Sequence, residues 1–531
     1  MKKIILLINV VLLSVLLTAC ANNKEYIIRN DGWEAVRMDD NYQVYYEIFV
    51  GAFSDSNKDG VGDLRGIINR LDYLNDGDPN SGKSLGVTGL WLMPIMSSPS
   101  YHKYDVRNYK SVDSVYGTID DFRELVEKAE ERGIDIIIDL VLNHTSNQHT
   151  WFRQAQTALR DGDLDNPYLE YYTLVKENEK ISGRTYYPFH GEYFYEGNFS
   201  SAMPELNMDS ELVRAEIVDI LQFWFDLGVK GFRLDATKYI YFNETQRNVA
   251  FWNWFMDEVR AIRPDAYVVG ETWSGDSLIL PYYESFSNFD FGMSQSNGAI
   301  ALTANLQDSV NSFVAYKNSY KNAVKNVNPN AILTPFISNH DMNRAAGYLS
   351  VPDYRMHMAA NLYIWSYGTP FLYYGEEIGL KGVRGTENTD ANRRLKMLWG
   401  DKDTVTDPIG ANYSIDRQTN GTVKDQLNDP NSLYNHYKKV IMLRNANPEI
   451  GRGSLTPIHF TNHYSFGGFL STYQNSTVGV FHNTSEDAIT IQLNLYTTHS
   501  FTIVRGYAGK GSASLNGQTL TLDGLTSVIL K

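Results

Sequence analysis

Three apolar runs, far apart in the chain, each end in a carboxylate: Gly231-Phe-Arg-Leu-Asp235, Ala266-Tyr-Val-Val-Gly-Glu271 and Ile332-Leu-Thr-Pro-Phe-Ile-Ser-Asn-His-Asp341. Continuous apolar runs of this length read as strands buried on both faces, the signature of parallel sheet. Three such strands that each present an acid at the same end require a fold that gathers strand ends. A closed (β/α)8 TIM barrel does this at one rim. The other strands are present in order: 42–50, 87–95 and 134–144 come first, 287–291 supplies a short sixth run, and 369–375 an eighth. Segments with helical spacing fall between or after them, at 64–74, 120–132, 211–227, 248–260, 354–366 and 432–445. A doubly wound sheet is the alternative, but it does not call for eight units with acids on the fourth, fifth and seventh.

Two regions depart from this rhythm. Residues 145–207 are polar, glycine-rich and aromatic, and ~60 residues exceed any ordinary βα loop. They are expected to form a small inserted domain after the third strand, overhanging the rim. From residue 451 short alternating runs and frequent turns predict an antiparallel β-sandwich. The expected division is barrel 41–144, insert 145–207, barrel 208–450 and sandwich 451–531.

The amino terminus reads as an export signal. Lys2 and Lys3 precede an apolar run over 4–17 and then small residues, a run shorter than the ~20 residues that span a bilayer. Leu17-Thr-Ala-Cys20 resembles a bacterial lipoprotein cleavage box. That resemblance implies loss of residues 1–19, lipidation of Cys20, a polar tether over 20–40, and an extracytoplasmic protein anchored to a bacterial membrane. A plain signal peptide or a buried helix is the alternative. Cys20 is the only cysteine, so no intrachain disulfide forms. A net charge of −15 excludes a broad nucleic-acid surface, which needs clustered cations to replace phosphate counterions. The 36 tyrosines fit core packing and sugar stacking equally.

The first strand runs into Asp55-Ser-Asn-Lys-Asp-Gly-Val-Gly-Asp63. Oxygen donors at alternate positions followed by a glycine turn suit Ca²⁺. Asp55, Asn57 and Asp59 match the first three ligand positions of an EF-hand loop, Val61 would offer its carbonyl and Asp63 a further oxygen. Gly66 stands where an EF-hand carries its bidentate glutamate, so the loop is a calcium loop of another kind. A plain polar loop is the alternative.

Cleavage of a glycosidic bond needs one carboxyl group to protonate the leaving oxygen and another to attack the anomeric carbon or activate water. Asp235, Glu271 and Asp341 are three candidates, and Arg233 shares a strand face with Asp235 and would hold it ionised. At this point the sequence resembles the α-amylase family of glycoside hydrolases over residues 40–531. Asp139-Leu-Val-Leu-Asn-His144, Gly231-Phe-Arg-Leu-Asp-Ala-Thr-Lys238, Gly270-Glu-Thr272 and Ser338-Asn-His-Asp341 look like its four signatures in order, and Met203-Pro-Glu-Leu-Asn207 like the short one ending the insert. The resemblance implies a retaining mechanism with Asp235 as nucleophile, Glu271 as acid and then base, and Asp341 gripping ring hydroxyls. It assigns substrate contacts to Arg233, His144, His340, Tyr104, Asp105 and Lys238. It makes Asn143 a ligand of the family's main calcium, with Asp163, Asp165 and Glu170 as candidate helpers, and so implies two calcium sites, the second at the Asp55 loop.

Linkage preference is divided. Ala236 and Lys238 look like α-1,4-cleaving amylases, whereas the Asp55 loop and the Met203 block resemble branches with oligo-1,6-glucosidases, neopullulanases and cyclodextrinases. Two positions depart from the amylase pattern: Tyr239 replaces a usual histidine, and Lys103 replaces a usual glycine and is expected to narrow the rim. The leading expectation is a monomeric endo-acting α-1,4 hydrolase of starch-like glucan. A neighbouring specificity or a transglycosylase is the first alternative, and a non-catalytic surface glucan-binding protein the second.

Overall fold

The computed structural model describes residues 26–27, 33–386 and 389–531. The expected signal, Cys20 and the first part of the tether lie outside the described residues.

The barrel is present. Parallel strands Tyr45–Ile48, Gly89–Leu92, Asp135–Leu140, Gly231–Leu234, Tyr267–Gly270 and Ser287–Asn288 pair in sequence order, and Phe371–Tyr373 pairs back onto the first. The seventh position is held by two isolated parallel bridges, Phe289 with Thr334 and Phe336 with Phe371. Pro335 stands between them and has no N–H to donate. Its carbonyl still accepts from Phe371 N at 3.0 Å, so the ring closes without a full ladder.

The strands are buried on both faces, as the continuous apolar runs predict. Inside the ring, Tyr45 stacks between Tyr267 (5.3 Å) and Phe371 (4.8 Å), and Trp91 lies 5.5 Å from Phe289. Close packing leaves no room at two glycines, one against a ring and one against backbone. A Cβ on Gly89 would come within 2.5 Å of the Tyr45 ring, and one on Gly231 within 1.8 Å of the Tyr267 carbonyl. Outward-facing residues such as Ile136, Ile138, Phe232 and Leu234 pack against the helical layer.

That layer includes Ile119–Glu131, Glu211–Asp226, Thr245–Ile262, Arg355–Ile364 and Leu433–Asn445. It also holds Val310–Val327, a helix with no counterpart among the expected segments. The expected helix over 64–74 is two short ones, Leu64–Asn69 and Leu71–Leu74, broken at Arg70. Arg70 bridges Asp401 (2.8 Å) and Asp403 (2.9 Å) with its guanidinium 3.9 Å above Trp399.

Within 145–207 the chain forms a helix, Thr150–Asp161, and a small antiparallel sheet of Leu174–Lys176, Tyr193–Glu196 and Tyr186–His190. A bridge from His144 to Glu205 and the Leu206 N–H donating to Asn143 O at 3.0 Å sew it to the end of the third barrel strand, and a bridge from Tyr172 to Leu206 closes the insert on itself. After residue 453 a five-stranded and a three-stranded antiparallel sheet enclose Phe460, Phe466, Phe481, Leu520 and Val528. Residues 33–43 cross the base of the barrel. Ala35 N donates to Asn80 Oδ1 (2.8 Å), Arg452 pairs with Asp40 (2.6 Å), Thr369 Oγ1 donates to Asn41 O (2.8 Å), and the Arg505 guanidinium lies 3.6 Å from the Trp33 ring.

Candidate active site

The barrel strands run parallel, so the residue after each one lands on the same rim. Asp235 follows Gly231–Leu234 and Glu271 follows Tyr267–Gly270. Arg233, fully buried, gathers the acids. Its Nη1 lies 2.8 Å from Asp235 Oδ1 and 2.9 and 3.0 Å from the two oxygens of Asp139, while Nη2 lies 3.1 Å from Glu271 Oε2. Ala236 takes a left-handed conformation (φ 48°) directly after Asp235. Such strain in a residue with a Cβ persists where its surroundings enforce it; here the turned N–H donates to Glu271 Oε2 at 3.1 Å.

The two rim acids differ in their surroundings. Burial pushes Glu271 up to about 7, with Arg233 opposing and the charges of Asp235 and Asp341 reinforcing it. A carboxyl held near 7 can carry a proton at neutral pH. Burial alone would raise Asp341 as well. The His340 ring, 3.0 Å from Oδ2, and Arg394, 2.7 Å from Oδ1, outweigh that and hold it well below the usual carboxylate range.

These groups line a cleft of about 570 Å³ between the barrel rim and the insert. His144 lies against it, buried, with Nε2 lacking a partner among the described residues. Tyr104 lines one side and donates to Asp139 Oδ2 at 3.1 Å. Lys238 donates to Trp273 O at 2.7 Å, and Trp273 stacks on Phe291 (5.4 Å, 14°). Tyr239 also lines the cleft, packed edge-on to Phe199 of the insert at 5.2 Å.

Other residues sit differently from expectation. Asp105 is buried behind the rim loop and accepts from Ser98 Oγ (2.8 Å) and Ser100 Oγ, which directs it to holding that loop. Lys103 does not narrow the rim. Its backbone is left-handed (φ 66°), the conformation that favours the glycine usual there, and its side chain turns inward to Asp113 at 2.9 Å, with both groups buried. His340 is fully buried, with Nδ1 2.5 Å from Glu47 Oε1 and Nε2 2.7 Å from the Tyr104 hydroxyl. Sequence reading missed Glu47 and Arg394. Glu47 is embedded in an apolar strand that reads as wall, and Arg394 lies in a non-periodic stretch.

The calcium readings separate. In the Asp55 loop, Asp55 accepts from the amides of Asn57, Lys58 and Gly60, Asn57 Oδ1 from Asp59 N, and Asp59 Oδ1 from Val61 N. Asp63 accepts from Gly66 N, as the helix cap, and from Ser56. Asp55, Asn57, Asp59, Asp63 and the Val61 carbonyl make a hard-oxygen set of the kind Ca²⁺ takes. At Asn143 the acid alongside is Glu205, not Asp163, Asp165 or Glu170, and burial pushes Glu205 up to about 7 with Glu196 adding to the rise. The neighbouring charge is neutralised from within the chain, by Arg184, whose Nη1 is 3.2 Å from Glu196. Among the described residues no three His, Cys, Asp or Glu side chains converge as a metal cage.

A family model described as the α-amylase catalytic domain matches residues 47–453. Alpha-amylase 3 of Dictyoglomus thermophilum is 35% identical over 461 residues, 85% of this chain and 86% of that protein. A 4-alpha-glucanotransferase of Thermotoga neapolitana is 30% identical over 361 residues, covering 65% of this chain and 74% of its own. The solved structure of Eubacterium rectale Amy13B matches with a TM-score of 0.86 at 34% identity, covering 94% of this chain and 97% of that one.

Proposed function

The chain belongs to the α-amylase family of glycoside hydrolases, and from that premise we propose that it cleaves internal α-1,4-glucosidic bonds of starch-like glucans and maltooligosaccharides with retention of configuration. The observation that carries the reading is the division of labour on the rim: Asp235 in the grip of Arg233 at 2.8 Å, and Glu271 raised to about 7 beside it.

Asp235 attacks the anomeric carbon as Glu271 gives its proton to the departing glycosidic oxygen. The bond to the leaving sugar breaks and an ester to Asp235 forms. Glu271, now a carboxylate, takes a proton from water as the water oxygen attacks the same carbon and frees Asp235. Asp341 faces the ring hydroxyls and, with His144, favours the distorted ring of the transition state. Tyr104 supplies a flat face beneath the sugar. The alternatives, a 1,6-specific or cyclodextrin-cleaving hydrolase and a transglycosylase, use the same acids and differ in what occupies the leaving-group side.

Ca²⁺ at the Asp55 loop would hold the loop in shape, and Asn143 is not assigned one. Lipidation of Cys20 and attachment of a monomer to the outer face of a bacterial membrane complete the proposal on the strength of residues 1–20. Product patterns from soluble starch, pullulan and cyclodextrin, with Glu271→Gln as control, test the activity. Rapid loss of starch chain length with little attack on the others is expected. Preference for pullulan, cyclodextrin or short 1,6-linked sugars assigns a neighbouring specificity, disproportionation of maltooligosaccharides assigns transfer, and no activity above the control overturns catalysis.

A further inference from the structure

We propose that Glu47, on the first barrel strand, is a positioning residue that fixes the His340 ring and, through it, Asp341 and Tyr104 on one side of the cleft. The inference rests on the hydrolase reading above only for its kinetic consequence.

Hydrogen-bond accounting carries it. Glu47 and His340 are 2% and 0% exposed, so neither can turn to water. Glu47 Oε1 lies 2.5 Å from His340 Nδ1, and Asp341 Oδ2 lies 3.0 Å from Nε2. Tyr104 donates its single hydroxyl proton to Asp139, so at 2.7 Å it accepts from Nε2. A carboxylate facing each ring nitrogen makes both nitrogens donors, and only the imidazolium has two. The ring is also held from its faces, stacked on Tyr104 (5.5 Å, 17°) with the Trp91 edge at 5.7 Å. Of the cations close by, Arg394 reaches the His340 carbonyl and Asp341, and Arg233 lies over the Trp91 and Tyr104 rings. Burial lowers the ring's affinity for a proton, but Asp341 and Glu47 reverse this and carry it to about 9.

Glu47 thus does from the barrel interior what an orienting carboxylate does for any working histidine: it selects the protonation state and aims the far nitrogen. Tyr46 and Ile48 on either side belong to the outer packing layer, and Glu47 alternates with them. Its neighbours across the sheet are Trp91 and Tyr373, so no other carboxylate on the adjoining strands stands in its place.

Glu47→Gln keeps the shape and an acceptor oxygen and removes only the charge. Histidine Cε1 resonances of the full chain, assigned with His340→Asn, follow the ring's titration. The His340 midpoint is expected to fall by at least about one unit in Glu47→Gln, because one of its two charge partners is gone. On a maltooligosaccharide substrate kcat should fall by roughly ten- to a hundredfold, the range for loss of a charge-assisted hydrogen bond, with KM changed far less. Glu47→Ala should be worse in both, and an unchanged melting temperature in Glu47→Gln separates the effect from unfolding. An unmoved His340 titration overturns the proposal whatever the rates do. A lowered midpoint with unchanged kcat overturns it as well. Wild-type protein inert on every glucan would sink the hydrolase reading instead, and the titration would still report on Glu47.

Discussion

Arg233 reaches Asp235 from two residues back on the same strand, Nη1 to Oδ1 at 2.8 Å, while the same nitrogen holds Asp139. One guanidinium therefore orients the expected nucleophile and neutralises an acid with no exposure at all. Arg233→Ala leaves Asp139 buried without a countercharge, a loss of about 3–5 kcal/mol, to be read as a fall in the denaturant midpoint. Arg233→Lys keeps a charge but not the fork. It should fold far better and still lose on the order of 100-fold in kcat.

Glu271 must be protonated to act as an acid, and burial holds it near 7. The alkaline limb of kcat/KM should therefore turn down with a midpoint of about 7, since the protonated fraction falls as pH rises through that value. A limb that stays flat to pH 9 would remove Glu271 from the acid role.

The linked pair His340 and Asp341 makes a prediction about stability. His340 is raised from 6.5 to about 9 in the folded chain. Its contribution is fully present below the unfolded value of 6.5 and is lost as pH rises through 9. Asp341 is lowered, so its contribution is present above the ordinary carboxylate value and is lost in acid. The melting temperature should thus decline between pH 6.5 and 9, and His340→Asn should flatten that decline.

Calcium bound only by the folded Asp55 loop stabilises by mass action. The loop is bolted to 403–406, through Thr404 Oγ1 to Asp55 (2.7 Å) and Thr406 N to Gly60 O (2.9 Å). Excess chelator should lower the melting temperature, and Asp55→Ala should abolish the difference between chelated and calcium-loaded protein. Identical melting in both states of the wild type would rule the loop out as a metal site.

Lys103 offers a separate test of the rim. Removing its charge strands Asp113, which also accepts from Ser98 N at 2.9 Å. Lys103→Met should cost about 3–5 kcal/mol. Lys103→Gly should cost ~1 kcal/mol less, because glycine relieves the left-handed backbone. Equal losses in chemical denaturation would remove backbone strain from the account.

The barrel was legible because its strands are buried on both faces and write themselves as unbroken apolar runs, and because acids punctuate their ends. The same runs concealed Glu47, whose neighbours give it no polar context. Val310–Val327 escaped because Lys317, Tyr320 and Lys321 share its buried face with the apolar residues, so its apolar period is blurred. Arg394 reaches Asp341 across 53 residues from a loop without periodicity, and no local pattern encodes such a contact. Lys103 pointed the wrong way in the sequence reading because its direction is set by Asp113, a partner ten residues on.

Residues 33–43 lie against the floor of the barrel, and the cleft opens at its roof. Residue 33 therefore meets the barrel on the face opposite the acids, and additions to that floor, such as a fused reporter at the base, would leave the mouth of the cleft open.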